Sequence, residues 1–298
     1  MSKVFVITGA TSGIGRAAAL SIAKEDANLV LVGRNKKRGA KIVRSLIERA
    51  PNVRPRFIDA DLSRQDEVRR LGRIIDEEFD HVDLLINNAG ARFDRYGATE
   101  DGVERTFATN HLGHFLLTCL LIRHLALAPS ARVITVTSQA HFAASADGCW
   151  SYRENNYDRR QAYAKSKLAN VLFAFELARR LDETKIASCA VDPGVAATRF
   201  ALNNGPIAWA KHAISHWIKG TLVSPEVAAN SIVHLATLAE PHDLAGKLFR
   251  NGQVIEASEP ARSRSVAQDL WNESARLIGA KLDLSSVTEG PRSQKMSI

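Results

Sequence analysis

Residues 4–15 are Val4-Phe5-Val6-Ile7-Thr8-Gly9-Ala10-Thr11-Ser12-Gly13-Ile14-Gly15, and this stretch decides the fold. It joins a continuous apolar run, typical of a parallel strand buried on both faces, to a glycine-rich turn and an alanine-rich helical segment. Such a turn lets backbone N–H groups at a helix N-terminus approach a pyrophosphate. The glycine spacing differs from the general Gly-x-Gly-x-x-Gly fingerprint. Its place at the first strand-to-helix switch nevertheless favours a dinucleotide site over an ordinary tight turn.

The same alternation continues along the chain. Further apolar runs predict strands at 29–32, 56–58, 82–86, 133–136 and 186–191, and longer amphipathic segments predict helices at about 13–25, 35–50, 63–80, 100–128 and 160–182. Strands that alternate with helices imply right-handed crossovers. We therefore expect an α/β fold with a doubly wound, Rossmann-like parallel sheet and helices on both faces, in one domain over residues 1–282.

After Val191 the pattern loosens. Asp192-Pro193-Gly194 predicts a turn, and residues from about 195 to 224 predict a substrate lid with one short amphipathic helix at 207–218. The lid helix could instead rest on a membrane surface. A helix is predicted near 225–239 and a last strand within 247–255, and the polar segment 283–298 predicts a flexible tail.

The composition excludes several classes of protein. The chain of 298 residues has 40 Lys and Arg against 32 Asp and Glu, a net charge of +8, and only three widely spaced cysteines. The cysteines favour a reduced, cytoplasmic protein over a disulfide framework. The run Val4–Ile7 is too short for a signal peptide or a membrane span, so we expect no stable membrane insertion. The basic residues lack any nucleic-acid-binding motif and the histidine pairs lack further ligands, so neither a nucleic acid nor a metal ion is expected.

Several short motifs, in a fixed order, make the chain resemble the short-chain dehydrogenase/reductase family. They are Thr8 to Gly15, Asp61-Leu62, Asn87-Asn88-Ala89-Gly90, Thr109-Asn110, Ser138, Tyr163-Ala164-Lys165-Ser166-Lys167 and Pro193-Gly194. The sequence from Tyr163 to Arg180 resembles the retinol-dehydrogenase-like branch in particular. The resemblance implies a nicotinamide cofactor and a hydride-transfer reaction.

The end of the second strand predicts which cofactor binds. An NAD-selective site has an acidic residue about 20 residues after the glycines. Here Arg34 follows Gly33 instead and offers a bidentate fork for a 2′-phosphate, so NADP(H) is predicted. With the contacts that the resemblance implies, the cofactor set is Gly9, Thr11, Ser12, Gly13, Ile14, Gly15, Arg34, Asn35, Asp61, Leu62, Asn88, Ala89, Gly90, Tyr163, Lys167, Pro193, Gly194, Val195 and Thr198. In that set Asp61 and Leu62 bind adenine, although Asp61 is also a plausible helix cap.

The catalytic prediction centres on Tyr163 and Lys167, which lie four residues apart on one face of a helix. A neighbouring ammonium lowers the pKa of a phenol, which would make Tyr163 a general acid. Ser138 ends the fifth strand, at the edge where doubly wound sheets bind ligands. No Gly-x-Ser-x-Gly motif surrounds it, which argues against a serine hydrolase. By resemblance, Lys167 also binds the nicotinamide ribose and Asn110 holds a water of a proton relay.

The aromatic residues of the predicted lid and the long insertion between Ser138 and Tyr163 predict a small lipophilic or aromatic substrate. The insertion contains His141, Phe142, Trp150, Tyr152 and Tyr157. We expect reduction of a carbonyl to an alcohol, or the reverse. A reductase of an activated carbon–carbon double bond and a catalytically quiet NADP-binding regulator remain alternatives. The resemblance leaves open a homodimer through the helices at 100–128 and 160–182.

Overall fold

The computed structural model describes residues 2–23, 26–182, 184–196, 222–237 and 240–279. A run of parallel strands follows the predicted apolar segments: β1 (Lys3–Thr8), β2 (Ala27–Gly33), β3 (Arg54–Asp59), β4 (Leu84–Asn87), β5 (Ala131–Val136) and β6 (Ile186–Val191). The described residues also form four shorter strands: β7 (Val195–Ala196), β8 (Leu222–Val223), β9 (Leu248–Arg250) and β10 (Gln253–Ile255). The main sheet has eight strands in the order β10-β9-β6-β5-β4-β1-β2-β3, which confirms the predicted doubly wound α/β fold.

Helices cover both faces of this sheet. They are α1 (Gly13–Ile22), α2 (Lys36–Arg49), α3 (Gln65–Glu78), α4 (Arg105–Phe107), α5 (Gly113–Leu127), α6 (Arg159–Arg180), α7 (Pro225–Thr237), α8 (Pro241–Leu244), α9 (Glu259–Arg262) and α10 (Arg264–Leu277). Along β1, Val4 and Val6 join the core under α3, α5 and α6, whereas Phe5 and Ile7 join the core under α1, α2 and α7. Burial on both faces explains why the strand is apolar throughout.

Two predicted elements differ in the structure. The segment 100–128 becomes helical only at Arg105, where the Glu104 carboxylate caps α4, and the helical path is interrupted by a π-helical turn (Ala108–Leu112) between α4 and α5. The segment 247–255 is an antiparallel hairpin of β9 and β10 rather than a single strand. Its turn residues, Asn251 and Gly252, have positive φ angles of 51° and 75°, which end the strand.

The C-terminal helix α10, which sequence analysis does not predict, packs on α6. Trp271 of α10 lies 5.0 Å from Phe115 and stacks at 6.1 Å on Phe173, measured between ring centroids. Helix α6 is therefore buried on more sides than predicted. The exposed fractions of Lys167 and Asn170 are only 3% and 0%, and both side chains face the end of β5, where they donate to the Val136 carbonyl.

Three predictions lie outside the described residues: the lid helix at 207–218, the cofactor contact Thr198 and the tail at 283–298. Only the ends of the lid are seen, where β7 and β8 pair in parallel. Among the described helices, none combines the length and the apolar character that a membrane crossing requires.

Candidate active site

The glycine-rich turn between β1 and α1 is packed against the turn that follows β4. Gly9 has φ of +67°, and a Cβ there would lie 2.8 Å from Asn88 Nδ2 and 2.9 Å from Ala89 Cα. A Cβ at Gly15 would collide with the same Asn88 side chain. Ser12, the N-cap of α1, makes no side-chain capping bond, so the helix leaves first-turn N–H groups for an anion.

Cations and carboxylates meet at the carboxyl ends of β2 and β3. Arg34 Nη1 lies 3.4 Å from Asp61 Oδ2, and the Arg34 side chain is 57% exposed. Asp61 Oδ1 also accepts hydrogen bonds from the N–H and the hydroxyl of Ser63. Asn35 Oδ1 caps α2 by accepting the Arg38 N–H at 2.9 Å. A long, exposed ion pair of this kind contributes little to stability.

Ser138, Tyr163 and Lys167 come together at the carboxyl end of β5. The Tyr163 hydroxyl is hydrogen-bonded to the Ser138 side chain, and Lys167 Nζ lies 5.9 Å from the centroid of the Tyr163 ring. Lys167 Nζ donates to the Val136 carbonyl at 3.1 Å. Thr137 Oγ1, one residue from Ser138, donates to the Lys167 carbonyl at 2.8 Å. This hydrogen bond joins the end of β5 to α6.

Burial dominates the protonation of this group. It raises the pKa of Tyr163 to about 12, against the Ser138 hydrogen bond and the positive charge of Arg92, which both lower it. Burial also lowers the pKa of Lys167 to about 8, although the Asp192 carboxylate opposes the change. The net pKa of Tyr163 therefore lies above that of a free phenol, because loss of solvation outweighs the Ser138 hydrogen bond and the Arg92 charge, and the predicted effect of Lys167 on it stays a prediction.

Asn110 lies in the π-helical turn, and both polar atoms of its side-chain amide are hydrogen-bonded. Its Oδ1 accepts the Ala91 N–H at 2.7 Å, and its Nδ2 donates to the Ala91 carbonyl and to Ser166 Oγ, both at 2.9 Å. These bonds fix the loop after β4 against α6. Its backbone carbonyl oxygen lies 3.0 Å from His114 Nδ1, and the water that the family resemblance assigns to Asn110 stays a prediction.

Sequence analysis misses a buried brace beneath the Pro193-Gly194 turn. Asp192 accepts the Gly194 N–H at 3.0 Å and two bonds from Arg250, one from Nε at 3.1 Å and one from Nη2. With its amide oriented to satisfy its neighbours, Gln139 Oε1 accepts from the same guanidinium at 2.6 and 2.8 Å. Arg250 thus joins this turn to the residue that follows Ser138. An acidic residue before the turn and an arginine ending β9 are the sequence signals.

The insertion between Ser138 and Tyr163 is held by Lys165, whose side chain is 2% exposed. Its Nζ donates to Asp147 Oδ1 at 2.6 Å and to the Cys149 carbonyl at 2.9 Å. Two aromatic residues predicted as substrate wall are structural instead. Trp150 belongs to the hydrophobic core, and His141, which is fully buried, bonds the Ser138 carbonyl at 2.7 Å.

Comparison with known proteins identifies the class of protein to which this sheet, with Ser138, Tyr163 and Lys167 at the end of β5, belongs. Residues 3–206 match the family model of the short chain dehydrogenases, so the chain belongs to the short-chain dehydrogenase/reductase family. It is 35% identical over 302 residues to retinol dehydrogenase 13 of Homo sapiens, with 97% of this chain and 88% of that protein covered.

Two further matches support the same placement. The chain is 34% identical over 284 residues to polyprenol dehydrogenase of Mus musculus, with 93% of this chain and 84% of that protein covered. A solved structure of an uncharacterized protein from Mycobacterium paratuberculosis superposes with a TM-score of 0.75 at 28% identity, with 95% of each chain covered. The predicted resemblance to the retinol-dehydrogenase-like branch is confirmed by these relatives.

Proposed function

We propose that this protein is an NADP(H)-dependent oxidoreductase that interconverts a carbonyl and an alcohol on a small lipophilic or aromatic substrate. The observation that carries the proposal is the convergence of Ser138, Tyr163 and Lys167 at the carboxyl end of β5, with the Tyr163 hydroxyl bonded to Ser138. The relatives named retinol dehydrogenase and polyprenol dehydrogenase support an apolar alcohol as the substrate class. Three unpaired cysteines support a reduced, cytoplasmic location.

The residues present fit an NADP(H) cofactor. The uncapped first turn of α1 offers N–H groups to a pyrophosphate, and the exposed Arg34 guanidinium offers a fork to a 2′-phosphate. The 2′-phosphate would take over the guanidinium from Asp61, which keeps its two hydrogen bonds from Ser63. When bound, the nicotinamide ring supplies or accepts the hydride.

The side chains of the chain manage the proton. With a pKa of about 12, Tyr163 is protonated at neutral pH and donates its proton to the substrate oxygen during carbonyl reduction. Ser138 donates a hydrogen bond to the same oxygen, and the Lys167 ammonium stabilises the phenolate that Tyr163 becomes. A water on the Asn110 carbonyl returns the proton from solvent.

The test measures NADPH and NADH consumption by the purified protein with a panel of lipophilic aldehydes, ketones and quinones. We expect NADPH to be preferred by at least about tenfold in kcat/KM, because Arg34 pairs with the 2′-phosphate. Arg34→Asp should reverse the preference. Arg44→Asp makes the same charge change farther along α2 and should leave it intact. A preference that Arg34→Asp does not alter would contradict the cofactor assignment.

A further inference from the structure

His114 lies at the start of α5 and is 1% exposed. Its ring connects two functional segments. Nδ1 lies 3.0 Å from the carbonyl oxygen of Asn110, and Nε2 lies 3.0 Å from the hydroxyl of Thr8, which ends β1 immediately before the glycine-rich turn. One rigid imidazole therefore spans the distance between the π-helical turn and the cofactor turn.

The hydrogen bonds around Thr8 fix the tautomer of His114. Thr8 Oγ1 accepts the N–H groups of Asn88 at 2.8 Å and Ala89 at 3.0 Å, which fills both of its lone pairs. Toward His114 the hydroxyl can only donate, so Nε2 is an acceptor and Nδ1 carries the hydrogen. Thr8 Oγ1 also lies 3.2 Å from the Ile86 carbonyl. The Asn110 carbonyl beside Nδ1 can only accept a hydrogen bond, which independently places the hydrogen on Nδ1.

The two groups that His114 contacts both serve the proposed reaction. The Asn110 carbonyl is the group to which we assign the relay water, because the side-chain oxygen and nitrogen already bond Ala91 and Ser166. A carbonyl has two lone pairs, so the Nδ1–H bond orients it and leaves one lone pair for that water. The Thr8 hydroxyl holds the turn at Asn88 and Ala89 against the glycines.

We propose that His114 is a positioning residue which, as the neutral Nδ1–H tautomer, couples the Asn110 carbonyl of the proton relay to the Thr8 hydroxyl of the cofactor turn. The proposal rests on the proposed function, since it assigns a role in that reaction. Histidine suits the position because one rigid ring offers a donor and an acceptor on opposite sides.

The charge state of His114 agrees with this role. Burial and, to a smaller extent, the positive charge of Lys167 lower the pKa of His114 to about 3, although the hydrogen bond with the Asn110 carbonyl opposes the change. Protonation would place a second N–H against a Thr8 oxygen whose lone pairs are already occupied. The ring therefore stays neutral, and its hydrogen bonds keep their direction, across the range in which the enzyme works.

The first test removes the Thr8 hydroxyl with little change of shape. Thr8→Val should lower kcat by about 5- to 50-fold and raise KM for NADPH, because small displacements of a relay group are costly. Thr8→Ser, which restores the hydroxyl, should recover most of both. Thr135→Val is the matched control, since Thr135 Oγ1 is buried without a hydrogen bond among the described residues. If Thr8→Val only lowers the melting temperature and keeps kcat and KM, the role is merely structural and the proposal is wrong.

The second test needs neither substrate nor activity. Ring ¹⁵N shifts of the wild-type protein, with His114 assigned by comparison with His114→Gln, should show a neutral Nδ1–H tautomer that does not titrate down to pH 5. The Nε2–H tautomer, or titration near pH 6, would overturn the proposal. A wild-type protein that reduces no carbonyl would instead contradict the proposed function, while the tautomer still tests the geometry.

Discussion

Tyr163 and Lys167 have pKa values that burial moves in opposite directions, to about 12 and to about 8. At neutral pH the pair is a protonated phenol beside an ammonium, the state required to donate a proton to a carbonyl. As the pH rises through 8, Lys167 loses its proton and the phenolate loses its stabilising charge. Desolvation of Lys167 thus accompanies the placement of a cation beside the hydroxyl that we propose as the proton donor.

The cost of this buried lysine is testable with Lys167→Met. A pKa lowered from 10.5 to about 8 disfavours folding at neutral pH by an amount on the order of 1–3 kcal/mol. Methionine should therefore raise the free energy of unfolding at pH 7 while turnover is lost, and the Val136 carbonyl keeps Asn170 as a donor. Denaturant titrations at several pH values measure the gain.

The sign of the pH dependence provides the control. Between the folded pKa near 8 and the ordinary value of 10.5, the unfolded wild type binds a proton that the folded protein does not. Wild-type stability therefore rises over this range, and the advantage of Lys167→Met should shrink with it. A substitution that destabilises at pH 7 would contradict the account.

At the scale of elements, the sequence predicts those strands and helices whose apolar residues recur with a regular period. The strands β1 to β6 and helix α6 are recognised because their burial is uniform or regular. The π-helical turn escapes prediction, since one inserted residue leaves the apolar pattern of the helix intact. The buried residues of helix α10 also recur at helical spacing, which is recognised as a core-facing stripe once the position of α10 against α6 is known. They are Ala267, Leu270, Trp271 and Ser274.

The candidate catalytic residues and the residues that contact them divide in the same way. Ser138, Tyr163, Lys167 and Asn110 follow from motifs at predictable strand and helix ends. The partners His114, Arg250 and Lys165 do not, because each contact joins residues distant in the chain: His114 to Thr8, Arg250 to Asp192 and Lys165 to Asp147. Their roles require the tertiary structure.

Anchoring of the insertion to α6 yields a prediction about the substrate. Lys165→Met removes the ammonium that binds Asp147 and the Cys149 carbonyl, so the insertion should populate its ordered state less. We expect KM for a bulky lipophilic carbonyl to rise about 3- to 10-fold, with little change in kcat. Steady-state kinetics with a bulky and a small carbonyl measure the difference.

Arg160→Met is the matched control, because it removes an exposed cation from the same helix. It should leave both KM values unchanged. Equal effects of Lys165→Met on the bulky and the small substrate would show that the insertion does not contact the substrate.

At the scale of the whole molecule, α10 connects the catalytic helices to the rest of the fold. Ser274 bonds His111, next to Asn110, at 2.8 Å, and the Ile278 carbonyl accepts from Arg69 of α3 at 2.5 Å. Trp271 packs between Phe115 of α5 and Phe173 of α6. A homodimer through α5 and α6 would therefore have to use the sides of these helices that α10 leaves uncovered.

The packing of α10 predicts a large stability effect at a residue far from the reacting atoms. Trp271 is 5% exposed, so Trp271→Ala should lower the free energy of unfolding by roughly 3–5 kcal/mol. Leu127→Ala, at a 59% exposed site on α5, should change it by less than about 0.5 kcal/mol. Urea denaturation compares the two. Similar small losses would mean that α10 is not part of the core.

Turnover and NADPH affinity of Tyr163→Phe test the central claim most directly, because this substitution removes only one hydroxyl. General acid catalysis is worth about 10²–10⁴-fold, so turnover should fall by that order while the dissociation constant for NADPH and the melting temperature stay near wild type. A Tyr163→Phe protein that keeps near-normal turnover on the substrate reduced by the wild type would contradict the assignment of Tyr163 as the proton donor.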